Sequence, residues 1–410
     1  ISPVVVPERK GGKKAICFFS LFKSFLGVSL IGLEPEPERV ELLLSSNPSF
    51  VRACGFAQKH TLDEYCHLHV PGLRKLEQFD QIMREYGLWD KIKLAEVRDN
   101  LLSGVIKKEE ELVGDTTHYI AYSSFEVVNY DDDKGKKQKK SQSKVTKNCR
   151  CKDRENCGHE WELCDDGAGT IVKSSNRIYW GHKASLIGFP SQGIPLDIVA
   201  LRDGATHDRE SLFPHIEKVF SELPEIKPKI KRVLYDSACD DQDLRDEFLG
   251  EFKIELKTSL NPRRKKEVVD NLPRGMSRIT PYGIPICIGD HEMEYKGMRI
   301  DEKKFIYQSP VDSQGAAVCF SCPNQKNCCP NSTTGRTINI SFDLLPHINH
   351  EDPPMAKRYK AIMSRRTSVE RMIKRIKCDM SDDRLSKRGN DSFQAYLDKS
   401  MIAYHILLRN

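Results

Sequence analysis

The chain has 410 residues, with 65 Lys plus Arg against 59 Asp plus Glu, and 39% of its residues are hydrophobic. This composition can bury a large core, which excludes a disordered or fibrous protein. The best apolar stretch, Ile16 to Leu33, is interrupted by Lys23 and falls short of the roughly 18 uncharged residues that a membrane helix needs. The sequence therefore predicts a soluble protein that does not bind a membrane.

The 14 cysteines are unevenly placed, because eight of them lie in or beside two tight clusters. In a chain of this length, such clusters indicate metal ligation in a reducing compartment rather than a disulfide framework. We therefore expect a cytoplasmic protein.

Positive charge is concentrated in one run. The net charge is only +6, yet residues 134–147 carry seven lysines and no acid. Such a run is typical either of a solvated loop or of a loop that also contacts phosphates, and both interpretations remain open.

The first part of the chain predicts helices. From about residue 38 to 108, apolar residues recur at spacings of three and four, and Asn47-Pro48 and Pro71-Gly72 interrupt the pattern. The pattern then changes to strand-like segments. They are Thr117 to Val128, Arg177 to Phe189, Ile194 to Leu201 and Lys231 to Tyr235, with an amphipathic helix predicted over Ser211 to Leu223.

The last third predicts an insertion followed by helices. Residues 251–354 are irregular, rich in proline, and contain a cysteine cluster. Helical periodicity returns from Met355 to Lys377 and again from Ser392 to Leu408. Strands mixed with helices predict an α/β protein with a mixed sheet flanked by helices.

Two carboxylates stand out as candidates for chemistry. On the helix predicted from Met355, Glu370 shares a face with Arg366 and Lys377 and borders the apolar stripe, although a surface salt-bridge ladder has the same pattern. Asp236 ends a predicted buried strand, where open α/β sheets place their ligands, although a simple turn also begins this way. Acids from a strand end and a distant helix together can hold Mg²⁺ for phosphodiester chemistry.

Several ordered motifs resemble bacterial insertion-sequence DDE transposases, in the group marked by a Tyr-x2-Arg-x3-Glu-x6-Lys signature. The motifs are Tyr-Trp-Gly-His-Lys at 179–183, a Gly-Ile-Pro-Leu-Asp segment at 193–208 that ends in Thr-His-Asp, the strand with Asp236, and the segment 365–377. The signature's Arg, Glu and Lys fall on Arg366, Glu370 and Lys377, and Met363 stands where its Tyr is expected. The resemblance covers roughly residues 40 to 410.

This resemblance implies a ribonuclease-H-like core in which three acids bind Mg²⁺ or Mn²⁺ and catalyse strand cleavage and transfer at element ends. Asp236 is then the second acid and Glu370 the third. At the position where the first acid is expected, the chain has Tyr122, whose neutral phenol is a poor Mg²⁺ ligand.

Three alternatives for the first acid stay open. The copy is an inactive, transposase-derived DNA-binding protein, or Asp115 or Glu126 supplies the acid, or the Asp165-Asp166 pair does so. Of the last pair, Asp166 is the candidate catalytic residue, although two acids before a glycine also suit a plain turn.

The cysteine clusters predict zinc. Cys149, Cys151, Cys157 and His159 form one set of four ligands, and Cys319, Cys322, Cys328 and Cys329 form another, each sufficient for a tetrahedral site. Free thiols in loops are the alternative. A zinc-binding structural or RNA-binding module would explain the cysteines but not Asp236 and Glu370.

The resulting prediction is a transposase that binds double-stranded DNA, as a homodimer by resemblance. Phosphate contacts are expected from Arg366, Lys377 and the lysines of the basic run, Lys136, Lys137, Lys139 and Lys140. Five regions follow: an undefined segment 1–37, a helical DNA-end-binding or dimerisation region 38–112, a first core part 113–250 with a basic loop 131–165, an insertion 251–354, and C-terminal core helices 355–410.

Overall fold

A computed structural model describes most of the chain. The described residues are 16–56, 70–123, 125–131, 137–147, 151–153, 155–174, 177–261, 267–346, 348–349, 352–381 and 384–409.

The N-terminal region is helical, as predicted. Its helices are α1 (Phe18–Leu30), α2 (Pro37–Ser46), α3 (Pro48–Ala53), α4 (Leu73–Glu85) and α5 (Leu88–Leu102). Proline begins α2 and α3, where its missing N–H costs no helical hydrogen bond. Helix α1 falls within the segment 1–37, which sequence patterning leaves undefined. Its Phe25 packs in one apolar cluster with Phe79 and Trp89.

Between residues 111 and 258, the described residues form ten strands. They are β1 (Glu111–Ile120), β2 (Phe125–Asp131), β3 (Lys137–Ser143), β4 (Val145–Thr146), β5 (Glu162–Leu163), β6 (Gly169–Ser174), β7 (Arg177–Phe189), β8 (Ile194–Ala200), β9 (Arg232–Tyr235) and β10 (Glu255–Thr258).

Six of these strands form one mixed sheet in the order β10-β9-β1-β7-β6, and β8 also pairs with β7. Strands β1, β7 and β8 are antiparallel neighbours, whereas β9 and β10 run parallel to β1. Three antiparallel strands followed by two parallel ones form the ribonuclease-H-like sheet, so the predicted fold class is confirmed.

The strand predicted over Thr117 to Val128 is wrong in its bounds. The structure divides that segment between β1, which begins at Glu111, and β2, which begins at Phe125 and pairs with β3 in a separate hairpin. The segment Leu112-Val113-Gly114 before Thr117 has too few β-branched residues to stand out by composition, yet Leu112 and Val113 are fully buried in the sheet. The predicted basic loop 131–165 likewise contains strands β3, β4 and β5.

Helices cover the sheet and close the core. They include α6 (Asp208–Glu222), α7 (Gln242–Glu247) and, after a short helix α8 (Gln325–Cys328), the helices α9 (Lys357–Met363), α10 (Ser368–Lys374) and α11 (Asn390–Leu407). The helix predicted from Met355 is not uniform, because a 3-10 turn at Ser364–Thr367 precedes α10 and a π-helical turn at Arg375–Asp379 follows it. The predicted apolar stripe still faces the core, with Val369 and Met372 fully buried.

The insertion begins later than predicted, since β10 belongs to the main sheet. Residues after Thr258 form two small sheets from β11 (Met276–Ile279), β12 (Pro285–Cys287), β13 (Glu294–Arg299), β14 (Lys304–Gln308) and β15 (Thr337–Ser341). A separate apolar cluster around Phe305, Tyr307 and Ile340 forms its core.

A buried charge network joins the helical region to the sheet. The ammonium of Lys93 on α5 is fully buried and lies 2.5 Å from Asp197 on β8 and 2.9 Å from Asp398 on α11. Desolvating these charges is costly, and the cost is offset only while each keeps its partners. The network therefore ties three elements to one relative position.

None of the helices in the described parts of the chain is both long and apolar enough to span a lipid bilayer.

Candidate metal centre

The register between β1 and β9 brings two aspartates to the same level. Val113 pairs with Leu234 in this parallel ladder, and Asp115 and Asp236 each follow two residues later. Side chains two residues apart along a strand point to the same face. Both carboxylates therefore leave the sheet on one side.

Tight packing under these two acids requires a glycine. A Cβ on Gly114 would lie 2.6 Å from the Ile187 side chain and 2.7 Å from the Tyr235 ring. Such distances are shorter than carbon atoms tolerate, so the chain keeps glycine directly before Asp115.

Asp208 completes the group from a helix. It is the first residue of α6, where the positive end of the helix dipole favours a carboxylate. The hydroxyl of Thr116, the residue after Asp115, donates to Asp208 over 3.2 Å. Oxygens of Asp115, Asp208 and Asp236 all lie within 4.8 Å of one another. Three carboxylate oxygens at such spacing suit a hard divalent cation.

Two cations partly offset the charge of the three acids. Arg366 donates to the Asp115 carboxylate at 2.8 Å, and Lys183 on β7 forms an ion pair with Asp208. Asp236 accepts from the backbone N–H of Ala238 at 2.8 Å, which starts a short 3-10 turn. If all three acids are ionised, their charge exceeds that of the two basic side chains, and the group keeps one net negative charge.

The pKa values reflect this crowding. Burial raises the pKa of Asp115 to about 6, opposed by Arg366 and assisted by the negative charges of Asp236 and Asp208. Burial also raises the pKa of Asp236, with a further contribution from Asp208. A bound divalent cation would stabilise the ionised forms, so these residues fit such an ion.

The other proposed acids lie elsewhere. Glu370 is exposed in the first turn of α10, whose buried face packs on the core, and it lies outside the group of three aspartates. Asp166 is exposed and accepts from the backbone N–H of Asn390, while its neighbour Asp165 pairs with His182. His182 lies opposite Tyr119, four residues along β1 from Asp115, which is roughly 13 Å at strand spacing.

Tyr122 lies outside the opening strand β1. It lies beyond the end of β1, is 63% exposed, and has the Arg388 guanidinium 5.8 Å from its ring centre. The opening strand, expected around Tyr122, ends before that residue, since β1 spans Glu111–Ile120. Of the alternatives, Asp115 lies inside β1 and within the group of three aspartates.

Arg366 and Lys377 have partners within the protein. Arg366 bonds Asp115, whereas Lys377 donates to the backbone oxygen of His118 and lies 5.0 Å from the centre of the Tyr119 ring. Both side chains thereby hold the segment around α10 against β1. Of the four candidate lysines, Lys137, Lys139 and Lys140 belong to β3, and Lys136 falls outside the described residues.

The first cysteine cluster is compact. Ligand atoms of Cys151, Cys157 and His159 lie within 4.8 Å of one another, and the Cys151 sulfur is 3.7 Å from His159 Nδ1. Cys149, the fourth predicted ligand, lies outside the described residues. The second cluster lines a cavity in the insertion, together with a fifth cysteine, Cys287, that sequence spacing did not reveal.

Sequence reasoning also missed Asp208. The signal for it was present, since the Thr-His-Asp sequence directly precedes an amphipathic helix, and an acid at that position favours a helix start. Cys287 gave no comparable signal, because 31 residues separate it from the next cysteine.

No protein-family model and no curated protein matches this chain. Among solved structures, it is similar to a piggyBac transposase synaptic complex with hairpin DNA, at 10% identity and a TM-score of 0.35, over 98% of this chain and 68% of that chain. It is also similar to a Mos1 transposase paired-end complex with the left transposon end, at 13% identity and a TM-score of 0.19, over 61% of this chain and 60% of that chain. A Mos1 strand transfer complex is similar at 11% identity and a TM-score of 0.19, over 61% of this chain and 60% of that chain.

Proposed function

We propose that this protein is a transposase of the insertion-sequence type, which cleaves and joins DNA strands with the help of divalent metal ions. The observation that carries this proposal is the meeting of Asp115, Asp208 and Asp236 within 4.8 Å on a ribonuclease-H-like sheet. The motif resemblance of the sequence to DDE transposases supports the same conclusion.

Asp115 and Asp236 are the central ligands in this proposal. Asp115 lies in β1 and Asp236 directly follows β9, the parallel neighbour of β1, so the paired strands bring the two residues to the same level. A bound Mg²⁺ or Mn²⁺ would activate the attacking oxygen and stabilise the leaving oxygen of a phosphodiester. Without a bound ion, the positive charges of Arg366 and Lys183 reduce the repulsion between the acids.

Glu370 is the third acid of the proposed catalytic set. The segment that carries it also carries Arg366, which bonds Asp115. Arg366 lies in the 3-10 turn that precedes α10, and Glu370 lies four residues later in the first turn of α10. Asp208 has a supporting role, because both of its oxygens accept from Thr116 and Lys183 neutralises its charge.

Double-stranded DNA is the proposed partner. Arg365, Arg371 and Lys374 are exposed on the same segment as Glu370, and the lysines of β3 add positive charge. Basic side chains of this kind bind phosphates without reading bases. A homodimer on DNA follows from the family resemblance alone.

Zinc at Cys151, Cys157 and His159 is an accessory part of the proposal. Two thiolates and an imidazole within 4.8 Å supply three of the four ligands that a closed tetrahedral site needs. Such an ion would stabilise the segment between β4 and β6 rather than take part in strand cleavage.

The alternative of an inactive DNA-binding protein rested on Tyr122. Since Tyr122 lies outside the acidic group and Asp115 lies inside it, the absence of an acid at position 122 no longer argues against activity.

The test is metal-dependent nicking of supercoiled plasmid by the full chain, with Mg²⁺ or Mn²⁺ and with EDTA. We expect nicking that needs the metal and that falls at least about a hundredfold in Asp236→Asn and in Glu370→Gln, worth roughly 2.7 kcal/mol of barrier. Plasmid binding should persist in both variants. Asp243→Asn, an exposed acid on α7, serves as the control and should nick normally. Nicking that persists in Asp236→Asn, or that continues at the same rate in the presence of EDTA, would reject the proposal.

A further inference from the structure

Five cysteines surround one cavity in the insertion. The cavity opens to solvent and has an empty volume of about 390 Å³. Its cysteines are Cys287, Cys319, Cys322, Cys328 and Cys329. None of the five is in a disulfide.

Cys287 reaches the cavity from a different part of the insertion than the other four. It ends β12 and starts a tight turn in which its N–H donates to the His291 oxygen. A Cβ on Gly289, inside this turn, would lie 3.0 Å from the Cys322 sulfur and 3.6 Å from the Cys287 sulfur. Both sulfurs therefore lie near one point of the turn, where glycine leaves the space open.

Cys328 lies against the same hairpin. Gly275, directly before β11, has a φ of +85°, and a Cβ there would lie 2.8 Å from the Cys328 sulfur. Met276 on β11 pairs with Cys287 on β12. Both glycines thus leave room for sulfur atoms at the end of the hairpin where Met276 pairs with Cys287.

Arg336 supplies positive charge at the cavity. Its guanidinium donates to the backbone oxygens of Cys328 and Arg274, each at 2.9 Å, which joins the cysteine loop to the hairpin. Its Nε is buried without a hydrogen-bond partner in the part of the chain that the structure describes. Such a donor beside several thiolates would stabilise their negative charge.

The sulfurs of Cys287, Cys319, Cys322 and Cys328 line the same cavity, so they would repel one another if all were deprotonated without an ion. Mutual repulsion of this kind disappears when a metal ion binds the deprotonated sulfurs. Cys329 is different, because it is buried and has Cys319 as its hydrogen-bonding neighbour.

We propose that Cys287, Cys319, Cys322 and Cys328 bind a metal centre through four thiolates, and that Cys329 is not a ligand. Four thiolates select zinc or an iron–sulfur cluster among the common metals. The centre ties the loop that contains α8 to the β11–β12 hairpin, in a small subdomain whose apolar core is limited.

The spacing of the sulfurs favours an iron–sulfur cluster. A single Zn²⁺ with bonds of about 2.3 Å holds its sulfurs roughly 3.8 Å apart. Among the described residues, the ligand atoms of Cys151, Cys157 and His159 lie within 4.8 Å of one another, as a single zinc ion requires. No three sulfurs of the described cysteines in the insertion lie that close together. A cluster places several iron atoms between its four cysteines and so needs the wider arrangement.

The test is metal analysis of the full chain purified without oxygen. We expect about four iron atoms and about four labile sulfides per chain, with visible absorption that bleaches on reduction. Cys287→Ser should lower the iron content at least tenfold. Cys329→Ser and Cys378→Ser, the latter an exposed cysteine outside the insertion, should keep it.

Iron retained in Cys287→Ser, or iron lost in Cys329→Ser, would overturn the ligand set. If the parent chain instead binds one zinc ion more than Cys287→Ser does, and no iron, the four ligands are supported and the iron–sulfur cluster is rejected. A parent chain that takes up neither metal after incubation with iron and sulfide or with Zn²⁺ would overturn the whole inference. Circular dichroism of each variant separates loss of the metal from loss of the fold, and none of these outcomes depends on DNA cleavage.

Discussion

Asp115 in β1 and Asp236, the residue directly after β9, each lie two residues beyond the paired Val113 and Leu234 of these parallel strands. Their positions come from backbone pairing, not from flexible loops, so their separation is set before any ion binds. This arrangement gives the acidic group its preorganised geometry.

Metal affinity should depend on pH near 6. The pKa of Asp115 is raised to about 6, chiefly by burial. Below that pH its carboxyl holds a proton that competes with the cation, so Mn²⁺ affinity should fall about tenfold per pH unit. Titration calorimetry with Mn²⁺ between pH 5 and 8 measures this. An affinity that stays constant down to pH 5 would remove Asp115 from the ligand set.

Arg366→Gln should move the midpoint of the pH dependence of Mn²⁺ affinity to higher pH. The Arg366 charge lowers the pKa of Asp115, so its loss leaves burial and the neighbouring acids unopposed. The same titration measures the shift. Arg365→Gln is the matched control, since Arg365 pairs with Glu111 instead of Asp115. Equal midpoints in the two variants would show that Arg366 has no electrostatic effect on the site.

Lys93→Met should destabilise the protein by about 3–5 kcal/mol, because it leaves the buried carboxylates of Asp197 and Asp398 without their shared cation. Urea unfolding followed by circular dichroism gives the free energy of unfolding. Lys91→Met changes an exposed lysine on the same helix and should cost less than about 0.5 kcal/mol. Similar stabilities for both variants would mean that the network does not hold the elements together.

Replacement of Lys136, Lys137, Lys139 and Lys140 by Gln should weaken DNA binding and flatten its salt dependence. Each lost phosphate contact lowers the slope of log affinity against log salt by about 0.9. Fluorescence anisotropy with a labelled duplex at several salt concentrations measures the slope. Replacement of the same four lysines by Arg keeps the charge and should keep the slope. If the Gln variant also keeps it, the run is a solvated segment without DNA contact.

Most of the fold could be predicted from the sequence where patterns were strong. The predictions of β7, β8, α6 and α11 are confirmed, since long apolar segments with clear ends define them. The opening strand was misplaced because Gly114 and Asp115 interrupt its apolar pattern. Gly114 allows close packing under the acids, and Asp115 is one of the three aspartates.

The site could be predicted only in part for a similar reason. Asp236 follows a strand that is easy to recognise, and the structure brings it into the acidic group. Asp115 remained one of several alternatives, because its proximity to Asp236 depends on the pairing of strands that are more than a hundred residues apart. Asp208 was missed, because it joins the two acids from the start of α6 and not from the sheet. Cys287 joins the other cysteines through a hairpin turn that spacing alone does not reveal.

The identity of the first acid tests this account most directly. We would compare Mn²⁺-dependent plasmid nicking by the parent chain with that of Asp115→Asn, Asp166→Asn and Tyr122→Asp. We expect at least about a hundredfold loss in Asp115→Asn, roughly 2.7 kcal/mol of barrier, and parent-like rates in the other two variants. Nicking that survives in Asp115→Asn but is lost in Asp166→Asn, or a parent chain that becomes active only as Tyr122→Asp, would contradict the account.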